Sequence, residues 1–81
     1  MKAQNLRIRM MQAAETRIDM TFAASVTELL PLLLPLSLRQ KLDRRSIHLP
    51  AIATEAKERG YTPGELFRFE EDAQVVRAWL E

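Results

Sequence analysis

The chain has no cysteine, one histidine, one tryptophan and two glycines among its 81 residues. Without cysteine it forms no disulfide, holds no thiolate metal site and offers no thiol nucleophile. His48 has no carboxylate three or four residues further on, so neither a metal site nor a catalytic triad can be assembled around it. Gly60 and Gly64 do not make a phosphate-cradling loop, and Ser25, Ser37 and Ser46 lack the G-x-S-x-G setting of an activated serine. The longest apolar run, Leu29 to Leu38, is ten residues, bounded by Glu28 and Arg39 and interrupted by Pro31 and Pro35. A membrane-spanning helix needs about 20. The opening residues carry no apolar run of the signal-peptide kind, which predicts a cytoplasmic location. Nor does one sign of charge dominate: 12 Lys and Arg face 11 Asp and Glu, too balanced for a tail that binds polyanions.

What the chain does have is apolar material. Hydrophobic residues make up 47% of it, enough to specify a single small domain spanning 1–81. A core of this size rarely leaves more than about 3–5 kcal/mol of net stability. Small chains usually add a disulfide, a metal or a partner. The first two are disfavoured here, so self-association, most simply a homodimer, or docking to another protein is expected.

The periodicity changes twice. Leu6, Ile8 and Met10 alternate with Arg7, Arg9 and Met11; after a break at 12–15, Ile18, Met20 and Phe22 alternate with Arg17, Asp19 and Thr21. This predicts strands over about 5–11 and 16–22, joined as a hairpin with one buried face. The intervening loop lacks glycine and asparagine, leaving its turn type open. Ser25-Val26-Thr27-Glu28 has the capping-box pattern and predicts a helix over 26–34, with Pro31 inside it as a kink. Pro35 suits the first turn of a second helix, 35–45, anchored by Leu36, Leu38 and Leu42. A third helix is predicted over 49–59, with Leu49, Ile52, Ala53 and Ala56 as its apolar stripe and Gly60 as its left-handed stop. Tyr61-Thr62-Pro63-Gly64 reads as a type II turn. Alternation then returns over 66–70 and 75–80, with Phe67, Phe69, Val76, Ala78 and Leu80 on one face. The outcome is an α+β fold in the order β-β-α-α-α-β-β, two antiparallel hairpins forming one sheet whose one face is covered by the helical middle.

This order of elements resembles a known family. Leu6-Arg7-Ile8-Arg9, Glu15-Thr16-Arg17-Ile18, Ala24-Ser25-Val26, Leu34-Pro35, Gly64-Glu65-Leu66 and the closing Val76-Arg77-Ala78-Trp79-Leu80-Glu81 are similar, in this sequence of spacings, to the SHOCT-like small domain of bacterial proteins of the LiaX/YvlB type. Ile47-His48-Leu49 departs from the family, which has an acidic residue where His48 stands. The resemblance, covering about residues 5–81, implies this fold and an envelope-stress setting. It implies no catalytic residues, and the residues themselves lead to the expectation of no metal and no cofactor.

Two surfaces stand out as candidates. Leucines at 29, 30, 32, 33, 34, 36 and 38 are more than one face of a small sheet can cover, and a helix apolar all round is buried on every side. Leu29, Leu32, Leu33 and Leu36, together with Trp79 on the outer sheet face, are therefore the candidate interface. Arg39, Lys41, Arg44 and Arg45 form a basic run that could meet nucleic-acid phosphates or an anionic membrane surface. The same charges are also explained by the C-terminal end of a helix dipole. The alternative to an interaction module is a small nucleic-acid-binding regulator, in which the helix pair and the following hairpin imitate a winged helix and 49–59 enters the major groove. With two acids against two bases, Glu55 and Glu58 against Lys57 and Arg59, that helix is a poor groove reader. Five arginines on the outer face, at 7, 9, 17, 68 and 77, with Asp19, Glu70 and Trp79 among them, form a weak version of an RNA-stacking surface. An enzymatic role has no residue set behind it.

Overall fold

The computed structural model describes residues 2–81. Strands β1 (Asn5–Gln12) and β2 (Glu15–Ala23) are followed by a 3-10 helix (Ala24–Leu32), helices α1 (Leu36–Arg44) and α2 (Leu49–Glu58), and strands β3 (Gly64–Glu71) and β4 (Gln74–Leu80). The four strands form one antiparallel sheet in the order β2-β1-β4-β3, an α+β architecture built from two hairpins. The first and last strands pair at its centre, Leu6 opposite Leu80 and Gln12 opposite Gln74.

Alternation sorts the strands into two faces as the sequence predicts. Leu6 and Ile8 of β1, Phe67 and Phe69 of β3, and Val76, Ala78 and Leu80 of β4 are buried beneath the helical layer. Each leucine or phenylalanine so buried contributes roughly 1.5–3 kcal/mol. Ile18, Met20 and Phe22 of β2 point to the same side but are only partly covered. Bulges interrupt the pairing between Met10 and Met11 and between Glu65 and Phe67, leaving Arg17 and Leu66 as the extra residues.

Both hairpin loops are two residues long, tighter than the sequence suggests. Ala13 and Ala14 have φ of 51° and 66°, and Asp72 and Ala73 have 45° and 54°. Positive φ at both central positions defines the type I′ turn, whose twist matches that of the flanking strands. Alanine occupies the left-handed region only at a cost, so these turns are held by the ladders on either side. The two loops touch, Ala13 donating its amide to the Ala73 carbonyl at 3.1 Å.

The segment over 24–32 departs from expectation. It is a 3-10 helix, and no side chain caps it: the residue before it is Ala23, and Ser25 and Glu28 do not form the capping box. Pro31 lies inside it without an amide to donate, and the shorter period sorts its residues into three columns. Ala24, Thr27 and Leu30 lie in the buried column, where the Thr27 hydroxyl satisfies itself on the Ala24 carbonyl at 2.6 Å. Leu36, expected to anchor α1, is exposed; Leu38 and Leu42 do the anchoring. At the other end of α1 the Ile47 amide reaches the Leu42 carbonyl (2.9 Å) and the Ser46 amide the Asp43 carbonyl (3.0 Å), with Ser46 at φ 62°. The end of α2 repeats this pattern, Tyr61 to Ala56 (2.9 Å) and Gly60 to Lys57 (3.0 Å), with Gly60 at φ 69°. Both are Schellman stops. Gly64 does not sit at the centre of a type II turn; it opens β3 at φ 153°, and Tyr61 takes the positive φ of 55° instead.

The left-handed alanines set up a direct test. Ala14→Gly and Ala73→Gly should each raise stability by about 0.5–1 kcal/mol, or several degrees in Tm. Gly60→Ala, with no atom within 4 Å of the added methyl, should lower it by a similar amount through the backbone alone. Thermal unfolding followed by circular dichroism measures all three.

Candidate interaction surface

The outer sheet face is organised around Trp79. The guanidinium carbons of Arg77, Arg7 and Arg9 stand 5.1, 5.5 and 5.6 Å from its ring centre. The register explains this, because Arg7 is directly opposite Trp79 and Arg9 directly opposite Arg77. Arg68 is opposite Arg77 in turn, which aligns three arginines across β1, β4 and β3. Like charges directly opposite repel. They are tolerated here because each has a counter-charge. Arg7 bonds Asp19 and Glu81, both at 3.0 Å; Arg9 reaches Asp19 at 3.4 Å; Arg77 reaches Glu65 at 3.2 Å; and Arg68 bonds Glu70. The Trp79 indole N–H donates to Glu81 at 3.3 Å. The Arg7 hydrogen bond holds the Asp19 carboxyl below its ordinary pKa, and Arg7 followed by Trp79 does the same for Glu81. This network leaves little positive charge for a phosphate, and Arg17 is engaged with Glu15 at the hairpin end.

The four residues of the basic run do not form one patch. At about 3.6 residues per turn Arg39 falls on the opposite side of α1 from Lys41, Arg44 and Arg45. Arg39 is half-buried and lines a shallow groove with Pro31, Ile47 and Leu49, whereas Arg45 lies over the Phe69 ring at 5.6 Å and reaches Glu71 at 3.8 Å. Lys41 and Arg44 occupy the last turn of α1, where they meet the helix dipole favourably. Lys57 of α2 pairs with Glu28 at 2.9 Å, and Arg59, which follows α2 directly, with Glu55 at 2.6 Å, so both cations at this helix end are engaged. His48 precedes α2 without capping it; its Nδ1 lies 3.0 Å from Asp43 on the surface.

The leucine-rich run behaves differently. Leu30, Leu34 and Leu38 are buried and Leu33 is half-buried against the core. Leu29, Leu32 and Leu36 are 52%, 72% and 61% exposed, and among the described residues they are the exposed large hydrophobics. The 3-10 geometry accounts for two of them. One column faces the sheet, and Glu28 and Pro31 of the second line a groove with Pro50, Ala53 and Lys57 of α2. The third column, Val26, Leu29 and Leu32, is therefore left facing neither the sheet nor α2. Trp79 lies across the sheet from these leucines, so the candidate interface residues divide between two opposite surfaces. Sequence reasoning did not single out Ile18, Met20 and Phe22, whose partial exposure depends on β2 being an edge strand.

No family model, curated protein sequence or solved structure matches this chain.

Two outcomes follow for this surface. Trp79→Ala should cost about 2–3 kcal/mol by removing the platform under three guanidinium groups, whereas Trp79→Phe should cost less than half as much; urea unfolding of both variants measures the difference. Asp19, Glu28 and Glu81 are all held below their ordinary values of 3.8, 4.5 and 4.5, Glu28 chiefly by Lys57. A depressed carboxyl stabilises the fold fully only above its unfolded pKa, and that contribution disappears as pH falls through the folded one. Stability should therefore hold down to about pH 5 and fall steadily below it. At the alkaline end Tyr61 is raised by burial and by Glu28, and Lys57 is raised by Glu28, so a second decline should begin near pH 10. The fluorescence of Trp79, the single tryptophan, reads out both limbs.

Proposed function

We propose that this domain is a non-enzymatic interaction module that acts by self-association, with the exposed leucines Leu29, Leu32 and Leu36 at the contact. The observation that carries this reading is the concentration of exposed large hydrophobics in one stretch of the helical layer. Single apolar residues scattered over a surface need no explanation, whereas three exposed leucines within eight residues of one segment are what a binding surface would account for. Near-neutral net charge supports self-association too, since two copies approach with little overall repulsion. The family resemblance adds a bacterial envelope-stress setting to the proposal.

The nucleic-acid alternative has weaker support. The outer-face arginines are paired with acids, and both cations at the end of α2 are taken up by Glu28 and Glu55. Retardation of duplex DNA in a low-salt gel would favour it over the present reading.

Sedimentation velocity over a micromolar concentration series tests the proposal. The expected result is a concentration-dependent dimer for the native chain. Leu32→Asp, at the most exposed of the three positions, should retain the circular dichroism of the native fold. It should weaken association by at least about 100-fold, since each of the two copies loses a leucine contact of roughly 1.5–3 kcal/mol. A folded monomer throughout the series would sink the reading.

A further inference from the structure

We infer that two copies of this chain join edge to edge through β2, antiparallel about a two-fold axis at Met20, so that two four-stranded sheets become one of eight strands. This rests on the self-association proposed above and adds to its leucine contact a backbone pairing with a defined register.

The two edges of the sheet are unlike. β3 starts directly after Pro63, carries its bulge at Leu66 and presents the charged, exposed side chains of Glu65, Arg68 and Glu70. These are the devices by which an edge strand is kept from pairing. β2 shares some of these devices at its start, with exposed Glu15 and the bulged Arg17, but from Ile18 to Ala23 it runs without interruption and Asp19 is its single charge, against Arg68, Glu70 and Glu71 in the regular part of β3. Among the described residues no strand is bonded along its outer side. Its inward side chains, Ile18, Met20 and Phe22, are incompletely covered. The 3-10 helix that packs on β1 and β2 adds Leu29 and Leu32, both exposed. The edge thus offers unpaired backbone groups flanked by apolar surface on its inward face. A second copy has the same combination, as an isologous interface requires.

Chemistry selects the register. Residues directly opposite in an antiparallel pair share a face, so Ile18, Met20 and Phe22 must meet one another and not the polar series. With Asp19 on the axis, two carboxylates would face each other. With Ile18 on the axis, the bulged Arg17 would have to enter the ladder. With Thr21 on the axis, Ile18 would fall opposite Ala24, which has already left the strand for the 3-10 helix, and would lose its apolar partner. With Met20 on the axis, Ile18 meets Phe22 of the second copy, Asp19 meets Thr21 of the second copy, and no like charges are opposed.

Thr21 is exposed and lies opposite Arg7 within its own sheet, so charge can be placed there without disturbing the core. In the proposed register Thr21→Asp faces Asp19 of the second copy, twice by symmetry. It should raise the dimer dissociation constant about three- to tenfold, and Thr21→Lys should lower it by a similar factor. Sedimentation equilibrium at low salt measures both, with circular dichroism checking the fold. Equal constants for the two variants would overturn the register. Met20→Cys provides a second measurement in a chain with no other cysteine. Mild oxidation should convert it into a covalent dimer, because opposite residues at the axis come within reach of a disulfide. If it sediments as a dimer yet does not cross-link, the β2 pairing fails while self-association stands. If the native chain is monomeric at every concentration, both fail.

Discussion

A four-stranded sheet with one apolar face has to be covered, and here the cover is three short helical pieces of nine, nine and ten residues. The rest of the structure follows from that constraint. α2 lies over the β3–β4 side, where Ile52 and Ala56 meet Leu66 and Leu80 around a groove of about 490 Å³. The 3-10 helix lies beside α2 and is tied to it by Lys57 and Glu28. Being thinner than an α-helix, it delivers only one of its three columns to the core. β2 consequently keeps an incompletely covered face, and leucines that would be internal in a thicker layer lie outside.

The opposite face is stabilised by other means. With no helix above it, it relies on cross-strand pairs, and Trp79 gives three guanidinium groups a flat apolar surface to lie on. Four arginines and their acids exhaust one another there. A basic composition on one face is thus compatible with near-electroneutrality and with a structural role.

Much of this architecture was legible in the sequence. Period-two alternation located all four strands to within about two residues, Pro35 and Pro50 marked helix starts, and Gly60 marked a helix end. The surplus of leucines over available core was legible too. The turns were not, because Ala13-Ala14 and Asp72-Ala73 lack the Asn-Gly chemistry that advertises a type I′ loop. The stop at Ser46 was hidden for the same reason, since a serine in the left-handed region leaves no compositional trace. The 3-10 helix was missed because leucines stand at both three- and four-residue spacings, satisfying either period, while Ser25 and Glu28 imitate a cap they do not form. The separation of Trp79 from the leucines depends on the layer arrangement, which local periodicity does not encode.

The pairing of β1 with β4 also bears on how the chain folds during synthesis. The two strands at the centre of the sheet are the first and the last elements of this domain in chain order. β1 and β2 can pair early, but an isolated two-stranded ribbon is marginally stable in water. The helical middle emerges next, with only half a sheet to lie on. Folding must therefore wait for the closing segment, and until then Leu6 and Ile8 are exposed to the surrounding medium. A chain of this design keeps its central strand unpaired and its apolar face open to non-native contacts until β4 inserts.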